Sequence, residues 1–150
     1  MVEQRGMNGG ATHSCAAVVL HQPDPRILER LVAGLRGCRL IAVANGPLAS
    51  AARAVLTGVD LRLIENECNQ GLGAGLNIAM RAAAEEGAAH VLLLDQDSEP
   101  PVGLLEALTA RADALAQAGE RVAVVAPRLT PPAEGNYRPI RYAWRGRKRA

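Results

Sequence analysis

Short apolar runs alternate with amphipathic stretches along most of this chain. Ala16-Ala17-Val18-Val19-Leu20 is unbroken and of strand length, as expected for a strand buried on both faces. Asp24-Pro25 sets a capping carboxylate before a first-turn proline. Ile27, Leu28, Leu31, Val32 and Leu35 then recur at helical spacing until Gly37 supplies a stop. Leu40-Ile41-Ala42-Val43-Ala44 predicts a second strand, closed by the turn Asn45-Gly46-Pro47. An Ala-rich helix is expected from about Leu48 to Leu56, and a third strand at Leu61-Arg62-Leu63-Ile64. Beyond a glycine-rich segment, Leu76, Ile78, Ala79, Met80, Ala82 and Ala83 suit a well-buried helix ending at Gly87. Val91 to Leu94 predicts a fourth, buried strand. Pro101 is expected to open a helix with Leu104, Leu105, Leu108, Ala112 and Leu115 on one face, and Val122-Ala123-Val124-Val125 reads as a fifth strand.

Five strands alternating with four helices predict an α/β fold, a mostly parallel sheet with helices on both faces. Periodicity is lost after Pro127, so the domain is expected to span residues 13–130. The polar, Gly-rich residues 1–12 are expected to be disordered, and residues 131–150 to form an irregular basic tail.

Composition narrows the function. The aromatic fraction is 2%, with no Phe, and Tyr137, Tyr142 and Trp144 all lie in the tail. The core is therefore built from Ala, Val, Leu and Ile, and offers no aromatic platform for single-stranded nucleic acid. A net charge of +2 gives no electrostatic case for a nucleic-acid partner either. Cys15, Cys38 and Cys68 form no CxxC pair and read as reduced structural thiols. His13-x-Cys15 is too sparse for a zinc site, and His90 reads as structural. With no membrane-length apolar run and no signal-peptide core, a cytoplasmic location is expected.

Two segments carry candidate chemistry. Leu94-Asp95-Gln96-Asp97-Ser98 sets two carboxylates one residue apart at the end of an apolar strand, where ligand sites of open α/β sheets collect. In extended backbone both acids project to one side and repel each other unless a cation or donors compensate. Two hard oxygen ligands suit Mg²⁺ or Mn²⁺, and the ion a diphosphate. The competing reading is a strand end followed by a helix start at Ser98 and Pro101. Asn69-Gln70-Gly71-Leu72-Gly73-Ala74-Gly75-Leu76-Asn77 precedes it. Its glycines permit close approach to a ligand or a neighbouring element, and a helix opening near Leu72 offers unpaired N–H groups to an anion. The competing reading is a turn needed for tight helix packing, with Asn77 as a local cap.

Together with Val18 to Pro23, Val43-Ala44-Asn45-Gly46 and Val124-Val125-Ala126-Pro127, these segments resemble the N-terminal half of a family 2 glycosyltransferase with the GT-A fold, and within it the bacterial rhamnosyltransferases. The resemblance covers residues 14–130 in order and spacing. It implies that His21 and Gln22 border the nucleotide base, and that Asn45, Asn69, Gly71 and Asn77 belong to the donor-nucleotide side. It further implies that Asp95 lies near the ribose and sugar, and that Asp97, with Asp95, holds Mg²⁺ or Mn²⁺. The implied partners are a nucleoside-diphosphate sugar, with dTDP-rhamnose favoured, and a glycan or lipid-linked acceptor. His21 is the one histidine near the expected cleft, and no chemistry is assigned to it.

Two departures stand out. Ala44 occupies a position where the family commonly has Asp against the base. An inverting transferase also needs a carboxylate base, and after Pro127 the one acid is Glu134. The domain is therefore expected to be incomplete, as a truncated copy or with a separate chain completing the site, and prone to self-association through exposed edges. Arg138, Arg141, Arg145, Arg147, Lys148 and Arg149 have two readings: contact with an anionic membrane surface on its inner face, or the edge of an incomplete domain, which is preferred.

Three alternatives remain open. A non-catalytic nucleotide-binding remnant needs no base. An NAD(P)-binding domain fits Gly71-x-Gly73-x-Gly75 before a helix, although residues 65–70 separate the glycines from their strand. A dehalogenase-type phosphatase uses a DxD, but on its first strand.

Overall fold

A computed structural model of the chain describes residues 13–127. The expectations for residues 1–12, for Glu134, for the tail aromatics and for the basic cluster fall outside the described residues. Eight elements follow one another: β1 (Ser14–Leu20), α1 (Pro25–Gly34), β2 (Arg39–Asn45), α2 (Ser50–Val55), β3 (Leu61–Asn66), α3 (Leu72–Glu85), β4 (His90–Leu94) and α4 (Leu104–Gln117). The sheet order is β3-β2-β1-β4, and all three pairings are parallel.

The unbroken apolar runs of β1 and β2 are explained by their central position. Both strands are buried on both faces, with Ala16, Val18, Leu20, Leu40, Ala42 and Ala44 packed against Leu28, Leu31, Leu48, Ala52 and Leu105 of the helical side formed by α1, α2 and α4. Cys15, Ala17, Val19, Ile41 and Val43 face Ala79, Ala82 and Ala83 of α3 on the other side. The α/β architecture with helices on both faces is therefore as expected. Asp24 caps α1 through Oδ1, which accepts from the Arg26 N–H at 2.8 Å. His90 pairs with Asp113 of α4 at 3.1 Å. Burial raises the pKa of the Cys15 and Cys38 thiols and so disfavours their thiolates.

Two expectations are corrected. Val122 to Val125 is not a strand: it leaves α4 without joining the sheet, and Val124 is 83% exposed. An apolar run becomes a strand only where its backbone finds an edge to pair with. In consequence β4 is not a buried central strand. It is an edge strand among the described residues, partly exposed along its length, with Leu93 43% exposed. α4 is likewise looser than its pattern implied, with Leu105 buried and Leu104, Leu108, Ala112 and Leu115 only half-buried. It also starts at Leu104 behind the left-handed Gly103, not at Pro101.

Two glycines mark places where the layers come closest. A side chain at Gly75 in α3 would lie 2.8 Å from both methyls of Val19. A side chain at Gly34, the last residue of α1, would overlap the carbonyl oxygen of Pro100, just beyond the acidic segment. At the amino ends of the strands, Arg39 ties Glu86, the C-cap of α3 (3.0 and 2.9 Å), to Asp60 (2.6 Å). The hydrogen bonds from Arg39 hold the Glu86 carboxyl below its ordinary range.

Gly34→Ala is expected to lower stability by about 1–3 kcal/mol, because a backbone carbonyl gives way less readily than a side chain. Gly73→Ala, with open space around the added carbon, is expected to leave stability unchanged or slightly higher; thermal unfolding of both variants checks the contrast. A carboxyl whose folded-state pKa is depressed contributes stability above its unfolded pKa of about 4.3 and loses it as pH falls through the folded value. The difference in urea midpoint between wild type and Arg39→Met should therefore be largest near neutral pH and shrink below about pH 4.

Candidate functional site

The chain runs from β1 outward through β2 to β3, then crosses back to β4 on the other side of β1. The carboxyl ends of β1 and β4 therefore flank a topological switch point, the usual ligand position in open α/β sheets. A cleft of about 460 Å³ lies there. The end of β1 supplies Val19 and His21, and the end of β2 supplies Asn45. The β3–α3 connection supplies Asn69 and Gly71, with Leu72 opening α3, and the turn after β4 supplies Asp95, Gln96 and Asp97. The two segments singled out in the sequence are thus brought to one cleft, although residues 78–93 separate them.

The floor of the cleft is organised by Asn45, which is 2% exposed. Its Nδ2 donates to Asn69 Oδ1 (2.9 Å) and to the Gly71 carbonyl (3.1 Å). Its Oδ1 accepts from Asn66 Nδ2 (3.1 Å) and from the Gln70 N–H (3.0 Å). An amide offers two donor hydrogens and two acceptor lone pairs, so this side chain is fully engaged within the protein. Asn69 Oδ1 also accepts from the Gly71 N–H at 2.8 Å, closing a tight turn in which Gly71 adopts φ +86°, a conformation open to glycine at no steric cost. The backbone carbonyl of Asn45 lies 2.8 Å from Nδ1 of His21. A carbonyl only accepts, so Nδ1 carries the hydrogen and Nε2 is the ring's other, unengaged nitrogen among the described residues.

The acidic segment departs from the extended geometry expected of it. Asp95 follows the last residue of β4, and Gln96 and Asp97 lie in a turn closed by the Ser98 N–H donating to the Asp95 carbonyl at 3.0 Å. Both carboxylates nevertheless line the cleft and are exposed. Among the described residues neither has an ion pair or a side-chain hydrogen bond. Five other acids of the fold are matched to arginines: Glu86 and Asp60 to Arg39, Glu65 to Arg53, Glu85 to Arg62 and Glu99 to Arg30. Two neighbouring, unmatched carboxylates with open space beside them fit a divalent cation that keeps its remaining positions for water and a diphosphate. No group of three or more ligating side chains is assembled among the described residues.

Of the other sequence candidates, Gln22 and Asn77 do not line the cleft. Gln22 occupies a left-handed turn (φ +47°) just past β1. Asn77 lies on the exposed side of α3, a turn and a half into the helix, so it neither caps the helix nor reaches the floor of the cleft. Ala44 is fully buried on the α1/α2/α4 side of the sheet, which leaves no place there for an acid facing a base. Asn66, Leu72 and Gln96 were not singled out from sequence. Asn66 is the register partner of Asn45 across β2 and β3, a pairing visible only once the strands are aligned. Leu72 is 55% exposed at the mouth of the cleft, an apolar surface in a site without aromatics.

A larger cavity, about 550 Å³, lies at the opposite, amino ends of the strands beside α4. Its charged groups are matched: Arg39 with Asp60, Cys38 Sγ donating to Glu106 Oε1 at 3.7 Å, and Asp113 with His90 at 3.1 Å. It offers no unmatched charge comparable to Asp95 and Asp97.

Asn45→Leu removes four hydrogen bonds at the floor of the cleft and is expected to cost about 2–4 kcal/mol, measurable by urea denaturation. Asn45→Asp keeps the two acceptor contacts and should cost less.

The family model described as glycosyl transferase family 2 matches residues 24–149. No curated protein and no solved structure matches the chain. Among the described residues no helix is long and apolar enough to cross a membrane.

Proposed function

We propose that this chain, which belongs to glycosyl transferase family 2, uses the cleft at the ends of β1 and β4 to hold the diphosphate of its sugar donor through a divalent cation on Asp95 and Asp97. The domain is a glycosyltransferase domain of nucleotide-sugar donor type. One observation carries the reading of the cleft: two adjacent carboxylates without partners among the described residues face the same space as the Asn69–Gly71 turn and the amino end of α3.

The roles follow from chemistry. Asp95 and Asp97 would hold Mg²⁺ or Mn²⁺, hard cations that prefer oxygen ligands. When bound, the ion supplies Lewis-acid stabilisation of the leaving nucleoside diphosphate. Leu72, the first residue of α3, lines the cleft, and the first-turn N–H groups of such a helix would serve as donors for phosphate or ribose oxygens. Asn45 keeps the Asn69–Gly71 turn in place and does not itself contact the donor through its side chain. Leu72 and Val19 give the cleft an aliphatic wall, against which a base or a deoxy-sugar methyl group loses water-exposed apolar surface. dTDP-rhamnose, with a thymine methyl and a 6-deoxy sugar, is the donor we favour, and a glycan or lipid-linked acceptor is the partner that the family reading implies.

Calorimetric titration of dTDP and of UDP, with and without Mn²⁺, tests the proposal. Binding of either nucleotide is expected to tighten with Mn²⁺, and Asp97→Ala is expected to abolish that gain while leaving the melting temperature within a few degrees of wild type. Mn²⁺-dependent affinity that survives in Asp97→Ala would remove Asp97 from the site.

A further inference from the structure

Gln96 lies between the two candidate cation ligands, yet its side chain is turned elsewhere. Its Oε1 accepts from the backbone N–H of His21 at 2.8 Å, and its Nε2 donates to the His21 carbonyl at 3.2 Å. One side-chain amide thus satisfies both backbone groups of a single residue 75 positions away. It extends the β1–β4 pairing past the last ladder pair, Val18 with Leu94, by a side chain where the two backbones separate. With both ends of its amide engaged, Gln96 is not available as a cation ligand.

His21 in turn is fixed to the Asn45 carbonyl through its ring, and Asn45 holds Asn69, Gln70 and Gly71. A continuous series of hydrogen bonds therefore runs across the carboxyl ends of β4, β1 and β2 to the start of α3. At one end are the carboxylates of the acidic turn, and at the other the Asn69–Gly71 turn. From α1, Arg30 pairs with Glu99 at 2.8 Å and Gly34 abuts Pro100, so the far side of the acidic segment is held as well. The turn between Asp95 and Ser98 has the Gln96 contact as its attachment to the cleft floor.

We infer that Gln96 is a positioning residue that latches the acidic turn to the loop after β1 and so couples cation binding to nucleotide binding in this cleft, an inference that rests on the donor-site reading above. Two ligands that share a cleft strengthen each other when the groups contacting them are held in one geometry. Releasing the turn leaves both carboxylates present but no longer aligned with the diphosphate.

The test uses Gln96→Met, which keeps the length of the side chain and removes both hydrogen bonds, and Gln96→Glu, which keeps the acceptor and loses the donor. Hydrogen exchange of the His21 amide in the ligand-free chain reads the latch directly. Exchange is expected to accelerate about tenfold in Gln96→Met and to remain slow in Gln96→Glu. Titration of dTDP then reads the coupling: the gain in affinity on adding Mn²⁺, taken relative to each variant's own affinity in EDTA, should fall about tenfold in Gln96→Met. Unchanged His21 exchange in Gln96→Met would overturn the latch and leave the donor-site reading standing. Accelerated exchange with the full Mn²⁺ gain retained would overturn the coupling role. A wild-type chain whose dTDP affinity ignores Mn²⁺ would overturn the donor-site reading and this inference with it.

Discussion

The cleft depends on one buried amide. Asn45 ends a strand whose other residues are almost all apolar, and it is the buried polar side chain of the core. A polar group in such a position is costly unless every donor and acceptor is matched. Here the matching groups come from the end of β3 and the turn before α3. The same contacts that stabilise the residue therefore define the wall of the site. The strand ends and the glycine turn are held relative to one another because a single side chain needs both, and the backbone carbonyl of the same residue holds the His21 ring.

Around that point the two faces of the sheet do different work. The α1/α2/α4 side carries most of the large aliphatic side chains, whereas the α3 side is packed with alanine and with Gly75 against Val19. Small residues let α3 lie close to β1 and β2, which brings its amino end over the carboxyl ends of those strands. The glycine-rich segment thus serves packing at Gly75 and backbone conformation at Gly71. Gly73 has open space beside it and serves neither. A chain that lacks aromatic residues throughout its described core still builds a dense sheet because its helices can approach so closely.

Most charge in the fold is matched. At the amino ends of the strands acids and arginines are paired across elements, as in Arg39 with Glu86 and Asp60, and near the carboxyl ends Glu65 pairs with Arg53 and Glu99 with Arg30. At the carboxyl ends Asp95 and Asp97 are left unmatched among the described residues. Ion pairs at the first end tie α3 to β2 and β3. Unmatched carboxylates at the second create a local demand for a cation, which a diphosphate-bearing donor would help to meet.

The order of strands and helices, the cap at Asp24, the parallel sheet and the two chemically suggestive segments were legible in the sequence. Each is written in local spacing: unbroken apolar runs, three- and four-residue periodicity, and turn residues at fixed offsets. The fifth strand and the buried character of β4 were misread for one reason. Strand status and burial depend on whether a run pairs with an edge, and Val122 to Val125 has an apolar composition but leaves the outer edge of β4 unpaired among the described residues. Asn77 was misplaced because spacing along a helix does not say where the helix begins relative to a cleft. The tertiary structure alone decided that Asn45 faces inward to Asn66 and Asn69, that Ala44 belongs to the core, and that Gln96 grips His21. These are contacts between residues 21 to 75 positions apart, and hydrogen-bond partners at such separations follow from how strand ends are brought together, not from any pattern that the chain carries locally.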